Sequence, residues 1–292
     1  MKSSLRKVMI DVCGGNMQYL YHYTSLETLA LILANKSICF NNLLNVDDME
    51  ESETQDMGNF GRFLYVSCWT SEEQESIPLW NLYTPNMHGV RIKLPIFPFK
   101  KYSYKKGELF FKEDVETYIN MEKIYDEDKV NIAANQPMLI EVDYTNEKDR
   151  LFPKVRKLSS VDELERYLNA GDMKEVEGVK VSYSFAELGK YKRMEWSFQK
   201  EWRYIFSIMP MGVKELNPPT FQKHQEIIRR IEDKEYIPPY SRMFLDIDDS
   251  ALQNIEVLCG PKMSQAEKII VQALLNQYCP NGKYQESKLQ IR

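Results

Sequence analysis

The segment 190–205, KYKRMEWSFQKEWRYI, constrains the fold of this chain more than any other. From Glu201 onward, Trp202, Tyr204 and Phe206 alternate with Glu201, Arg203 and Ile205, and a period of two sends the two sets to opposite faces of a strand. One face is aromatic and reads as core. The other carries Gln199, Glu201 and Arg203 in a row, and a carboxylate beside a guanidinium is costly to bury unless the two pair or perform chemistry. The row is a candidate site. The competing reading is a surface ion pair on an edge strand, which contributes little stability.

Composition narrows the classes. The 292 residues are 43% hydrophobic and 12% aromatic, enough for a sizeable core. Basic (38) and acidic (43) side chains are mixed along the chain for a net charge of -5, so no global basic field favours wrapping nucleic acid. Five scattered cysteines without C-x-x-C spacing argue against a disulfide framework or a structural zinc site, and no metal is expected. No long apolar run and no leader pattern occur, so the expectation is a cytoplasmic protein that does not engage a membrane.

In chain order, 17–22 reads as a strand that runs into a helix after His22-Tyr23. Thr24 and Glu27 have capping-box spacing, with Leu26, Leu29, Ala30 and Leu33 at helical intervals. Such a junction places side chains beside free backbone N–H groups and the positive end of a helix, where a phosphate or amide is easily held. For His22 alone, a core or capping role is the plainer alternative. The acidic run 45–51 reads as a helix start enriched in Asp and Glu, with a divalent-cation site as the alternative. The aromatic and branched segment 63–70 is a strand, and Ser76-Ile77-Pro78 opens a helix on which Trp80 and Tyr83 share a face.

Residues 100–106, KKYSYKK, interleave lysines with tyrosines and are the one stretch resembling a contact for single-stranded nucleic acid, a solvated loop being the alternative. Residues from about 95 to 180 read as an insertion, with a strand at 108–111, another at 138–144 and a helix around 161–168. Downstream lie a helix near 221–231, strands at 243–247 and 255–259, and an amphipathic helix ending about Tyr278. Without an internal repeat, one α+β domain is the simplest description.

Taken together, His22-Tyr23-Thr24, the acidic turn from Asn45 to Glu50, Ser67-Cys68-Trp69, Trp80 with Tyr83, Gly89-Val90, Trp196-x-x-Gln199-x-Glu201-x-Arg203 and Gly260-Pro261-Lys262 resemble a bacterial family of unknown function, over nearly the whole chain. That family is in turn similar to the ADP-ribosyltransferase superfamily. The resemblance implies a split mixed or antiparallel sheet flanked by helices around a cleft for NAD. It implies His22 as the early-strand residue, Ser67 or Tyr83 as the middle one, and Glu201 as the late carboxylate. Gln199 stands where the family carries Glu, and Asp48 where it carries Pro; the Gln disfavours an arginine acceptor.

The implied roles follow oxocarbenium chemistry, in which a carboxylate near the ribose stabilises developing positive charge. Glu201, His22 and Tyr83 would be catalytic. Tyr23, Thr24, Ser67, Trp80, Gln199 and Arg203 would bind NAD, with Trp80 or Tyr83 stacking on nicotinamide and Arg203 or Lys192 holding the pyrophosphate. On this reading Glu201→Gln abolishes nicotinamide release and leaves the thermal melt in place. The setting implied is a toxin or phage-defence effector modifying protein or nucleic acid. Two other classes are a nucleotide-binding or interaction module without catalysis, and a metal-dependent nuclease using Asp47, Asp48, Glu50 and Glu201.

Overall fold

The computed structural model describes residues 18–132, 134–158 and 181–292. The lead before Gln18 and the helix expected around 161–168 lie outside them. Ten strands form one mixed, mostly antiparallel sheet: β1 (Tyr19–Ser25), β2 (Ser37–Asn42), β3 (Leu64–Thr70), β4 (Gly89–Pro95), β5 (Asn131–Ile132), β6 (Met138–Glu141), β7 (Glu201–Met209), β8 (Arg242–Asp246), β9 (Glu256–Cys259) and β10 (Lys283–Glu286). The architecture is α+β. Only β9 and β10 run parallel.

Strand β3 organises the sheet. One edge pairs with β7 over seven residues, from Thr70 opposite Glu201 to Leu64 opposite Ser207. The other edge is shared. Its beginning pairs with β2 (Val66 opposite Asn41, Tyr65 opposite Asn42), and its end pairs with β1 (Thr70 opposite Tyr21). Between those contacts, at Ser67, Cys68 and Trp69, no strand among the described residues pairs with that edge. The sheet therefore forks, with β1-β4-β9-β10 on one limb and β2-β8 on the other.

Helix α1 (Leu26–Asn35) connects β1 to β2 and bridges the fork. It buries Leu29, Ile32 and Leu33, which recur at helical spacing on one face. Its cap is Ser25, whose hydroxyl accepts from the Thr28 N–H, while Thr24 stays in the strand; the expected Thr24/Glu27 capping box does not form, and a single cap one residue later takes its place. Helix α2 (Ile77–Tyr83) starts at the expected cap, Ser76, which accepts from the Leu79 N–H. Helix α3 (Phe221–Glu232) buries Ile227 and Ile231. Helix α4 (Gln265–Tyr278) opens on a reciprocal Ser264/Glu267 capping box and packs beside α1.

The register of β1 against β4 depends on Gly89, opposite Ser25. A Cβ there would meet the Thr24 carbonyl oxygen at 2.5 Å and the Thr84 side chain at 2.6 Å, so only glycine allows this approach. Gly89→Ala is expected to cost about 1–3 kcal/mol, read as a lower urea midpoint at unchanged slope.

Several expectations change. Strand β7 is interior to the sheet, bounded by β3 on one edge and by β6 and β5 on the other, and from Glu201 to Phe206 it is buried on both faces as well. Two strands of the region read as an insertion, β5 and β6, are thus part of the main sheet. Residues 108–111 form a turn, with Leu109 at φ 51°, and β10 closes the chain where no strand was expected. The basic stretch 100–106 contains a short strand, Tyr102–Tyr104, paired with Val115–Thr117. Tyr104 is buried, Tyr102 donates to Asp246, and Lys101 and Lys105 pair with Glu116 and Asp114. The stretch is therefore a short paired strand rather than a solvated loop, with Tyr104 in the core and Tyr102 half-buried.

Candidate functional site

The fork leaves a cleft of about 540 Å³. His22 and Thr24 from β1, Thr28 and Ile32 from α1, Cys39 and Asn41 from β2, and Ser67 and Cys68 from β3 line it, with Asp47, Tyr83, Arg242 and Phe244 at its ends. A smaller recess of about 60 Å³ adjoins it and is lined by His22, Cys68, Tyr83, Gln199 and Glu201. His22, Tyr23, Cys68 and Tyr83 line both. The three residues expected to be catalytic, separated by up to 179 positions in sequence, thus meet at one recess.

His22 occupies the gap in the ladder. Its Nδ1 lies 2.8 Å from the Cys68 carbonyl oxygen, and its ring packs on Trp69 at 5.1 Å between centroids. A carbonyl can only accept, so the neutral ring carries its proton on Nδ1 and keeps a lone pair on Nε2. Burial lowers the pKa of His22 below its ordinary value, with the Cys68 bond opposing. Unfolding restores an ordinary histidine, so the unfolded chain binds a proton first as the pH falls. Stability is fully present above about pH 6.5 and declines from there toward the lower folded pKa. His22→Asn is expected to flatten that decline, which melts recorded between about pH 7 and 5 will show.

Tyr83 ends α2 with its hydroxyl accepting from Gln199 Nε2 at 2.5 Å. Burial, then the carboxylates of Asp47 and Glu201, raise the pKa of that phenol far above its ordinary value, so it remains a neutral donor. Gln199 lies on a 3₁₀ turn (Met194–Gln199), not on the strand; Lys200 follows at φ 43° and turns the chain into β7. Gln199 Oε1 accepts from Lys192 Nζ at 2.8 Å.

Glu201 belongs to a buried ionic quartet. Arg203 Nε donates to its Oε1, while Lys192 Nζ (2.9 Å) and Arg203 Nη2 (3.2 Å) donate to its Oε2. Glu51 approaches from the acidic run, its Oε1 3.1 Å from Lys192 and its Oε2 against Arg203 Nη1. The side chains of Glu51, Lys192, Glu201 and Arg203 are all 4% exposed or less. Two positive and two negative charges balance, which permits the burial. Burial would push the Glu201 carboxyl up, but Arg203 and Lys192 outweigh it and hold the group ionised well below its ordinary range. Burial likewise opposes the charge on Lys192, and Glu201 with Glu51 outweighs it and raises that pKa.

The remaining expected residues divide. Thr24 lines the cleft, as does Ser67, whose Oγ accepts from Trp69 Nε1. Tyr23 lines both spaces while its hydroxyl accepts from the Ser76 N–H. Trp80 does not reach either space. It is 0% exposed, edge-on to Tyr23 at 4.7 Å, with its N–H on Glu75, so it is a core residue and no stacking platform. Arg203 is likewise 0% exposed and has its fork filled by two carboxylates and the Gly189 carbonyl, so it has no donor to offer a pyrophosphate. The four carboxylates of the nuclease reading do not form a ligand set. Asp48 caps a turn, Glu50 pairs with Arg193, and Glu201 is ringed by cations. Among the described residues no three His, Cys, Asp or Glu side chains gather as a metal site.

Residues that sequence reasoning left unassigned also face the cleft. Phe244 of β8 was read only as part of a late strand at 243–247, Arg242 lay just outside that reading, and Asp47 was named only in the acidic run and the nuclease set. Compared with protein-family models, curated proteins and solved structures, the chain matches none.

Proposed function

We propose that this chain is an ADP-ribosyltransferase-like enzyme that binds NAD in the forked-sheet cleft and cleaves the bond between nicotinamide and ribose. The observation that carries the reading is the meeting of His22, Tyr83 and Glu201 at one recess opening into a cleft of dinucleotide dimensions. The α+β architecture, with His22 on an early strand and Glu201 on a late one, supports reading the site through that resemblance. In this reading the C1′–N bond breaks with its electron pair leaving on nicotinamide, and an acceptor nucleophile then attacks C1′ and gives up its proton. With water as the acceptor the products are nicotinamide, ADP-ribose and a proton.

Each residue has a defined part. A carboxylate has about four lone-pair sites. Three are taken on Glu201 by Arg203 and Lys192 and the fourth by the Cys68 thiol, the weakest donor of the set, which a ribose hydroxyl would displace. Because the quartet is neutral as a whole, Glu201 works chiefly by position. Asp47, exposed beside Tyr83, has no cation partner among the described residues and supplies uncompensated negative charge to the developing oxocarbenium. The Tyr83 ring and neutral His22 hold the nicotinamide, the tyrosine by stacking and the histidine through its free Nε2 lone pair. The test is chromatographic detection of nicotinamide from NAD incubated with purified protein. Time-dependent release supports the reading. A raised melting temperature with NAD and no release would establish a binding module instead, because a ligand that binds only the folded state stabilises it without turnover.

A further inference from the structure

Strand β8 brings two exposed side chains to the far end of the cleft. Arg242 and Phe244 alternate with buried Met243 and Leu245, and lie directly opposite Asn41 and Cys39 of β2, so these four share one face. All four line the cleft. Among the described residues the Arg242 guanidinium has no ion-pair or hydrogen-bond partner. The other cation lining the cleft, Lys192, is buried and committed to Glu51, Glu201 and Gln199. Phe244 leaves 49% of its surface exposed, unusual for a phenylalanine on a strand whose other face is core.

The charges give the cleft a direction. Beside Tyr83 stands the carboxylate of Asp47, which accepts from the phenol and has no cation partner among the described residues, and on β8 stands the guanidinium of Arg242, which has no anion partner among them. A dinucleotide with a cationic pyridinium at one end and an anionic diphosphate in the middle fits that polarity in one orientation only. We infer that Arg242 holds the diphosphate and Phe244 carries the adenine, making β8 the adenosine-diphosphate subsite of the cleft. The guanidinium fork suits phosphate oxygens, and an exposed ring is a stacking surface for a purine. This assignment rests on the NAD reading for its orientation, and it replaces Arg203 as the phosphate-binding residue.

The experiment uses ADP and adenosine as probes, with titration calorimetry on the full chain. Both side chains are exposed, so Arg242→Gln and Phe244→Ala are expected to melt as wild type does, and equal melts serve as the folding check. Arg242→Gln is expected to weaken ADP binding about tenfold, the value of one charge-assisted phosphate contact, with adenosine affinity changed less than about twofold. Phe244→Ala is expected to weaken both probes. Wild-type protein that binds no ADP, or an Arg242→Gln variant that binds it as tightly as wild type, overturns the assignment. Nicotinamide release is scored separately. If it proceeds while Arg242→Gln leaves ADP affinity unchanged, the subsite falls and the cleavage reading stands. If ADP affinity drops as expected and wild type releases no nicotinamide, the subsite stands and the cleavage reading falls.

Discussion

Glu201→Gln is expected to lower the melting temperature by about 10 °C as well as to abolish nicotinamide release. Removing one charge from the quartet leaves Lys192 and Arg203 facing only Glu51, and stranding a buried charge in this way costs about 3–5 kcal/mol. The sequence alone suggests a substitution that spares the melt, because it cannot show that the carboxylate is interior. Loss of activity in Glu201→Gln is therefore not a clean sign of catalysis. Glu51→Gln separates the two effects. It damages the same quartet from a side chain that lines neither the cleft nor the recess. It is expected to lower the melt by a similar amount and to retain most of the wild-type kcat when assayed well below its melting temperature. Thermal melts and nicotinamide release on the same preparations check both statements. An unchanged melt in Glu201→Gln would show that the quartet is not the interior lock described above.

Tyr83→Phe is expected to reduce kcat/KM for NAD by about 10- to 100-fold, with a loss of stability near 1 kcal/mol. The ring remains to pack in the recess, while the hydroxyl that accepts from Gln199 and donates to Asp47, and so holds both in place at the recess, is removed. One lost hydrogen bond in a desolvated site corresponds to that range. The phenol is held neutral throughout the ordinary pH range by burial and by Asp47 and Glu201, so its contribution is expected to show no titration of its own near neutral pH. Steady-state kinetics with a urea melt as control will decide. Wild-type kcat/KM in Tyr83→Phe would remove this residue from the site.

Much of the frame was legible because it is local. The period of two after Glu201, the helix opening at Ser76, the strand-to-helix junction after His22 and the amphipathic helix ending at Tyr278 each depend on neighbouring residues, and each forms near where the pattern places it. The pattern of β7 shows which residues share a face, but nothing local says that the polar face is covered as well. That cover comes from Glu51, 150 positions earlier, and from Lys192, and only the three-dimensional pairing reveals why an arginine can be 0% exposed there. Glu51 reads as one acid in a run until a turn capped by Asp48 points it inward. Arg242 carried no signal either, since one basic residue before a strand is ordinary. Its meaning arises from the fork in β3, a non-local feature that brings β8 to the cleft beside β2.

The central claim is one of placement: nicotinamide-ribose in the recess, diphosphate toward β8. The most direct measurement is a crystal structure with an NAD analogue whose ribose–nicotinamide bond resists cleavage. The account predicts a ribose hydroxyl within about 3 Å of Glu201, the nicotinamide ring against Tyr83 and His22, and phosphate oxygens on Arg242. An analogue bound in the reverse orientation, or bound elsewhere with the recess empty, would contradict it.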